Sequence, residues 1–152
     1  MISKTYIALA AICIGCGSTG SNIGNRETKI ESGTWLVYEG SLPCADCSEI
    51  KTRLELFIDY SNPEPPYIIK QAYIGKKDED QAVIDHGFYG ILKESIHGKE
   101  ATVYELSGNS PEKRMFLLRI NDDTLQLVDQ NRNSIRSDIP YRLLHTETIK
   151  ER

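Results

Sequence analysis

Apolar and polar residues alternate along most of the chain after residue 33, with the period of two that is typical of half-buried β-strands. The clearest case is KTRLELFID, residues 51–59, in which successive side chains point to opposite faces. One face carries Thr52, Leu54, Leu56 and Ile58, and the other carries Arg53, Glu55, Phe57 and Asp59. Further segments rich in aromatic and β-branched residues also predict strands. They are TWLVYEG, YIIKQAYIG, FYGILKE, ATVYELS, RMFLLRI, TLQLVD and YRLLH.

Clusters of turn-forming residues separate these strands: SNPEPP, IHGKE, SGNSPEK, INDDT and DQNRNS. About eight strands at this spacing, without a ten-residue helical pattern, predict an all-β fold built as an antiparallel meander. Such a sheet either closes into a small β-barrel or packs as a sandwich. We expect closure into a barrel, because it leaves no exposed strand edge.

The first residues have a different pattern. Lys4 provides a short positive region, and an unbroken apolar stretch of nine residues follows at positions 6–14. This stretch is too short to cross a bilayer core of roughly 30 Å as a helix, and its flanks are those of a secretory signal peptide. The sequence predicts a signal peptide over residues 1–15.

The end of this segment, CIGC, resembles the lipobox of bacterial lipoproteins, in which the cysteine after a small residue is acylated. Here Gly15 precedes Cys16, and Cys13 stands where the lipobox usually has leucine. The resemblance implies that Cys16 carries the lipid (palmitate and related acyl chains) and anchors the protein to a membrane. An ordinary cleaved signal with a chance cysteine is the alternative.

Residues 16–32 after the apolar stretch are rich in Gly, Ser, Asn and Thr, which predicts a flexible tether. Gly17 rather than an aspartate follows Cys16, which resembles lipoproteins sorted to the outer membrane. The predicted destination is therefore the bacterial cell envelope, on the outer membrane.

The remaining chain is long enough for one domain with a modest core, predicted at residues 33–146, and residues 147–152 are predicted to be a polar tail. The whole chain of 152 residues has a net charge of −4 with both signs interspersed. This charge pattern lacks the basic face that a nucleic-acid partner requires. No Ser/His/Asp set, phosphate-binding loop or paired-acid motif is present, so we expect no enzymatic activity.

A family resemblance rests on the segment YEGSLPCADCSEIKTRLELF. It is similar to the start of NlpE-type lipoproteins, the copper-resistance and envelope-stress family, whose N-terminal domain opens with G-x-L-P-C-A-D-C and I-x-T-x-L-x-L. The segment DDTLQLVDQNRNSIRSDIPYRL is similar to the closing hairpin of that domain, and HGFYG matches a glycine–aromatic position between them. Glu49 stands where the family usually has glycine.

The resemblance implies a small lipocalin-related β-barrel on a lipid anchor, which acts in copper tolerance or in envelope-stress or surface sensing, with another envelope protein as partner. Longer members carry a second, OB-like domain with another cysteine pair. The sequence ends at Arg152, so we expect the N-terminal barrel domain alone and transfer no role of the second domain.

Cys44 and Cys47 allow three interpretations. In an oxidising envelope they are first a disulfide candidate, and such a short loop contributes only about 2 kcal/mol. If reduced, two soft sulfurs suit Cu(I), as the family's association with copper also implies, whereas zinc is disfavoured without a second ligand pair. A redox enzyme is disfavoured, because strands flank the pair where such enzymes have a helix N-terminus. Asp46 also lies between the two sulfurs, and a carboxylate there is expected to raise the pKa of a neighbouring thiol. The remaining redox interpretation is a passive sensor whose disulfide state reports conditions in the envelope.

A third copper ligand is available at His86, Met115 or His97, and we expect His86 because neighbouring glycines permit close approach. No cofactor is required in this hypothesis, and Cu(I) is the possible metal. A solvent-facing loop histidine is the competing interpretation of His86, and a core position that of Met115. The acidic run at residues 78–80 predicts a solvated loop.

A different class of function is a lipocalin-like carrier of a small apolar ligand. Small barrels can hold one ligand. Four aromatic residues are candidates for lining or filling the interior: Trp35, Tyr38, Phe88 and Tyr89. We expect side chains to fill this interior.

Overall fold

The computed structural model describes residues 32–75, 82–108, 114–136, 138 and 141–150. Within these residues the chain forms eight β-strands. They are β1 (Thr34–Leu42), β2 (Glu49–Ile58), β3 (Pro66–Ile74), β4 (Val83–Ile96), β5 (Lys99–Ser107), β6 (Met115–Asn121), β7 (Thr124–Val128) and β8 (Arg142–Lys150).

Each strand pairs antiparallel with the next one in the chain, and β8 pairs with β1 to close the barrel. The predicted all-β meander barrel is therefore confirmed. Closure gives every strand two neighbours, which removes the open edges that a flat sheet would expose. Among the described residues, none belongs to a helix long and apolar enough to cross a bilayer.

The barrel interior is filled by the inward set of alternating side chains. On β2 this set is the predicted one, since Thr52, Leu54, Leu56 and Ile58 are all buried. Leu106, Leu117, Leu125 and Leu143 are at most 1% exposed and complete the middle of the core. Burial of such side chains contributes roughly 1.5–3 kcal/mol each, which makes this layer the main source of stability.

Two of the four aromatic residues expected in the interior lie there. Tyr38 and Tyr89 are 3% and 1% exposed. The expectation was wrong for the other two, because the neighbouring inward positions are taken by Leu36 and Tyr89. Trp35 packs against Phe57 with 5.0 Å between ring centroids, and Phe88 is 57% exposed.

The boundary predicted at residue 147 is also wrong. β8 continues to Lys150, and its last residues pair with the start of β1, for example Glu147 with Val37 and Lys150 with Thr34. The side chains of residues 146–150 are exposed, so their sequence resembles a polar tail. The backbone pairing, which does not depend on those side chains, closes the barrel.

The alternating strand directions give the barrel two different ends. Gly33, the last residue of β8 and the connections β2–β3, β4–β5 and β6–β7 lie at one end, which we call the entry end because the N-terminal segment joins there. The connections β1–β2, β3–β4, β5–β6 and β7–β8 lie at the other, which we call the cysteine end.

Candidate functional site

The connection between β1 and β2 carries both cysteines of the predicted site. Cys44 and Cys47 form a disulfide with their Cα atoms 5.3 Å apart, within the usual range for such a bond. The pair Leu42 and Ile50, opposite each other in the ladder, closes the base of this connection. The disulfide therefore lies in a short loop at the cysteine end of the barrel.

The loop is fixed against the end of β3. The backbone N–H of Ser48 donates to the carbonyl of Ile74 at 2.8 Å. Gly75 follows with φ +90°, and a Cβ at this position would lie 2.6 Å from Oγ of Ser48. A glycine is therefore required here both for the backbone conformation and for space. Neither Ser48 nor Gly75 was predicted to support the site, although the turn after AYI in the sequence was a usable signal.

Cys44, Asp46 and Cys47 bring three potential metal-binding groups together. One sulfur or carboxylate oxygen from each of these residues lies within 4.8 Å of the others. Sγ of Cys44 is 3.4 Å from Oδ1 of Asp46. The sulfur of Cys47 lies 3.5 Å from the carbonyl oxygen of Glu49. Asp46 is exposed and both cysteines are half-buried, so the group is reachable from solvent.

If the disulfide is reduced, the negative charge of Asp46 favours binding of a cation at this group and disfavours a thiolate without one. A carboxylate beside a thiol disfavours the deprotonated sulfur, whereas a bound cation offsets both negative charges. Two sulfurs form a soft donor pair that suits Cu(I), once the disulfide has been reduced. The two cysteines therefore suit the predicted Cu(I) when they are reduced, and they form a disulfide when they are oxidised.

The other predicted ligands are elsewhere. His86 lies on β4 opposite Ile68 of β3, with an exposed side chain, and it is not part of the group around the cysteines. His97 is in the β4–β5 turn at the entry end, with φ 52°. Met115 begins β6 at the cysteine end and is packed against the core. Cys13, Cys16 and the acidic residues 78–80 lie outside the described residues.

A cavity of about 560 Å³ opens at the cysteine end of the barrel. Its apolar lining includes Tyr67, Ile69, Leu106, Met115 and Leu127, and its polar rim includes Asp85 and Arg114. The middle of the barrel below it is filled by side chains. The predicted filling is therefore correct for the centre of the barrel, while the end remains open.

The glycine of the G-x-L-P-C motif has a packing role. A Cβ on Gly40 would overlap the backbone carbonyl of Arg142 on β8 and lie 3.1 Å from Cδ2 of Leu143. Gly40 thus lets β8 approach β1 just before the disulfide loop begins.

Comparisons of the sequence with known proteins identify its family. The profile described as NlpE N-terminal domain matches residues 38–138. Lipoprotein NlpE of Escherichia coli (strain K12) is 27% identical over 153 residues, which covers 94% of this chain. The chain spans 57% of the length of that relative.

Among solved structures, the crystal structure of the Cpx pathway activator NlpE from Escherichia coli is similar to this chain. The TM-score is 0.48 at 23% sequence identity, over 70% of this chain and 48% of that chain. The profile match, which covers more than half of the sequence, shows that the chain belongs to the NlpE family and carries its N-terminal domain.

Proposed function

We propose that this protein is a lipid-anchored envelope protein that works by binding and not by catalysis, through the loop that carries Cys44 and Cys47. The observation that supports this most strongly is the convergence of Cys44, Asp46 and Cys47 in one exposed loop, with donor atoms within 4.8 Å. NlpE of Escherichia coli, the relative named above, is both a lipoprotein and a Cpx pathway activator, which supports a role in envelope-stress or surface sensing. Copper tolerance is the second role that the donor set supports.

The placement of the loop suits a presented sensor. The N-terminal segment joins the barrel at Gly33, at the entry end, and the loop follows β1 at the other end. The nine residues of β1, at about 3.3 Å per residue and tilted as barrel strands are, separate the two ends by about 20 Å. An anchor at Cys16 would therefore be attached at the end of the barrel opposite the cysteine loop.

Metal binding and disulfide formation exclude each other at this site. The Cys44–Cys47 disulfide must accept two electrons and two protons to give two thiols, for which an external thiol or dithiol is the reductant. If Cu(I) bound, Cys44 and Cys47 would hold it through their sulfurs, and both thiols would lose their protons. Through this exchange one loop responds to both the redox state of the envelope and the presence of copper.

Titration with Cu(I) tests the metal role. The chain without its first sixteen residues is reduced, and its affinity is measured by competition with a chromogenic Cu(I) chelator. We expect tight one-to-one binding that the double variant Cys44→Ser/Cys47→Ser loses by at least a hundredfold. Equal affinity in the two proteins would rule out a metal role for this pair.

Asp46→Asn separates the contributions of the sulfurs and the carboxylate. If the carboxylate offsets the metal charge, this variant binds Cu(I) more weakly than the parent and more strongly than the double cysteine variant. Asp138→Asn, at an exposed aspartate outside this loop, is the matched control for a lost negative charge.

Anchoring is tested separately. We expect Cys16→Ser to move the protein from the membrane fraction to the soluble fraction, whereas Cys13→Ser leaves it at the membrane. Separation of inner and outer membranes on a density gradient then checks the proposed outer-membrane location. Membrane association of the Cys16→Ser protein would contradict acyl anchoring.

A second candidate function is transport or sequestration of a small apolar ligand. The cavity of about 560 Å³ at the cysteine end supports it, since cavities of about 300–1,000 Å³ hold small-molecule ligands. Met115→Trp would fill this cavity, because Met115 lies on its wall. A native ligand seen by mass spectrometry in the parent and absent from this variant would favour the carrier function.

A further inference from the structure

The entry end of the barrel holds a separate cavity of about 530 Å³. Its floor is formed by Leu36, Tyr38, Ile58 and Tyr89, and the long β4–β5 hairpin supplies Ile91 and Tyr104 to one wall. None of these residues lines the cavity at the cysteine end. The two cavities are separated by the filled middle of the barrel, where Leu106 and Leu125 are at most 1% exposed.

The rim of this entry-end cavity carries two acidic and two basic side chains. Each acidic side chain has its own partner: the carboxylate of Asp59 accepts from N–H and Oγ of Ser61, at 2.9 and 2.6 Å, and that of Asp122 accepts from Arg119. Hydrogen bonding to Ser61 lowers the pKa of Asp59, so this carboxylate stays ionised and keeps its hydrogen bonds to Ser61.

Lys93 differs from the other charged groups of the rim. Its ammonium group donates to Oγ1 of Thr102 at 2.6 Å, which is a neutral partner. Among the residues that the structure describes, Lys93 forms no ion pair within 4.0 Å, so its charge has no direct carboxylate partner there. An ammonium group has three donors, so it can bind a further acceptor.

Two tyrosine hydroxyls add neutral donors below this rim. Burial raises the pKa of Tyr38 and of Tyr104, so both hydroxyls keep their protons at neutral pH. The ring of Tyr89 packs edge-on against that of Tyr104, and its hydroxyl already donates to the carbonyl of Phe57 at 2.8 Å. The cavity thus has an apolar and aromatic lining with two tyrosine hydroxyls, and at its rim Lys93, which forms no ion pair among the described residues.

We propose that the entry-end cavity binds an amphiphile with an apolar chain and a single carboxylate head group, of the fatty-acid class. The chain would contact Leu36, Ile58 and Ile91, and the carboxylate would accept hydrogen bonds from Lys93 and from the tyrosine hydroxyls. The head group of a cationic amphiphile would be repelled by Lys93 and Arg119. The two rim carboxylates, Asp59 and Asp122, already accept hydrogen bonds from Ser61 and Arg119. A neutral alcohol of the same chain length would leave the charge of Lys93 without a partner.

Calorimetric titration with three probes tests the ligand class. Decanoate, 1-decanol and decyltrimethylammonium, each below its micellar concentration, are added to the chain without its first sixteen residues. We expect one-to-one binding of decanoate, at least tenfold weaker binding of decanol and no binding of the cation. Absence of decanoate binding, or equal affinity for the acid and the alcohol, would overturn the proposal.

Variants locate the site. Lys93→Met should weaken decanoate binding about tenfold or more without changing the affinity for decanol, since it removes a hydrogen bond between two charged groups. Lys70→Met, at an exposed lysine on β3 that does not line this cavity, is the matched control and should bind decanoate as the parent does. Equal effects of the two substitutions would show non-specific attraction and overturn the proposal.

Two further proteins separate this inference from the proposed function. Cys44→Ser/Cys47→Ser should retain decanoate binding, because the loop lies at the opposite end of the barrel. Met115→Trp, which alters the cysteine-end cavity, should retain it as well. Loss of decanoate binding in Met115→Trp with normal binding in Lys93→Met would place the ligand at the cysteine end and overturn the entry-end site.

Discussion

The guanidinium carbon of Arg132 lies 3.9 Å from the centre of the Phe116 ring, on the outer face of the barrel. The same guanidinium donates two hydrogen bonds to Glu94 of β4, at 3.0 and 3.1 Å, and a third to the carbonyl of Gln130. Phe116 belongs to a small outer cluster with Val103 and Val128. Arg132 therefore holds the β7–β8 connection against β4 and covers this outer apolar cluster.

We predict that Arg132→Met destabilises the protein by about 1–3 kcal/mol, because the Arg132–Glu94 pair is bidentate and partly buried. Arg132→Lys should lose nearly as much, since an ammonium group cannot reproduce the fork. Urea unfolding followed by circular dichroism measures the change. A double-mutant cycle with Glu94→Gln isolates the interaction between Arg132 and Glu94. A coupling energy near zero would show that this ion pair does not stabilise the fold.

Gly40→Ala should destabilise the barrel by about 2–3 kcal/mol, because the added Cβ meets the backbone of β8 and not a side chain that can rotate away. Gly90→Ala on β4 is the matched control. No atom lies within 4 Å of a Cβ placed there, so this substitution should be neutral or stabilising. Similar melting temperatures for the two variants would show that the backbones of β1 and β8 are not in tight contact at Gly40.

A chain that stops after Thr146 should lose a large part of its stability. It lacks the pairs that join Glu147, Thr148, Ile149 and Lys150 to the start of β1. At about 1 kcal/mol per hydrogen bond, the expected loss is about 2–4 kcal/mol, with faster proteolysis. Replacement of residues 147–150 by four alanines keeps the backbone pairs and should be milder. Equal stability of the parent and the truncated chain would restore the interpretation of these residues as a tail.

The strands and the cysteine loop were predictable because their signals are local. The alternation of Leu54 and Leu56 with charged residues specifies the buried face of β2 without reference to any other strand. In WLVY the run is apolar throughout, so the sequence alone does not show whether Trp35 or Leu36 points inward. The chain resolves this by packing Trp35 on Phe57 of the neighbouring strand.

The surroundings of the cysteine pair were not predictable, because they depend on register between strands. His86 is separated from Cys47 by its position along β4 and by its outward direction, neither of which a glycine-rich neighbourhood determines. The pairing of β8 with β1 is likewise a backbone interaction between residues about a hundred positions apart. Only the aromatic and branched residues of YRLLH indicated where that strand begins.

Stability should decrease at alkaline pH because of the buried tyrosines. Burial raises the pKa of Tyr38 and Tyr89 above the value of about 10 that tyrosine has in the unfolded chain. As the pH rises, the tyrosines of the unfolded chain therefore lose their protons at a lower pH than those of the folded chain. The contribution of these tyrosines to the free energy of unfolding is fully present below about pH 10 and is lost as the pH rises further. Urea unfolding between pH 8 and pH 11.5 measures this decline.

Tyr38→Phe should make this alkaline decline shallower, since one of the buried groups no longer titrates. Tyr60→Phe is the control, because its ring is 69% exposed. The two variants should differ little at pH 8 and diverge above pH 10. An identical dependence on pH in both would contradict the role of burial.

Gly75 and Ser48 determine where the cysteine loop rests, and substitutions at both positions test this. Gly75→Ala imposes a side chain at φ +90° and brings its Cβ to 2.6 Å from Oγ of Ser48. Gly98→Ala, in the β4–β5 turn, has a comparable φ of +76° with no atom within 4 Å of the Cβ. Backbone strain is common to both variants, at about 1–2 kcal/mol, so any additional loss in Gly75→Ala measures crowding against Ser48.

Ser48→Ala in the Gly75→Ala background should recover most of this additional loss, because it removes the oxygen that the new Cβ meets. Amide chemical shifts of Cys44, Asp46 and Cys47 should move in Gly75→Ala, return towards the parent values in the double variant, and stay unchanged in Gly98→Ala. Shifts at the cysteines that are the same in Gly75→Ala and Gly98→Ala would mean that β3 does not position the loop. The bond from Ser48 to Ile74 would then be a consequence of the disulfide and not its support.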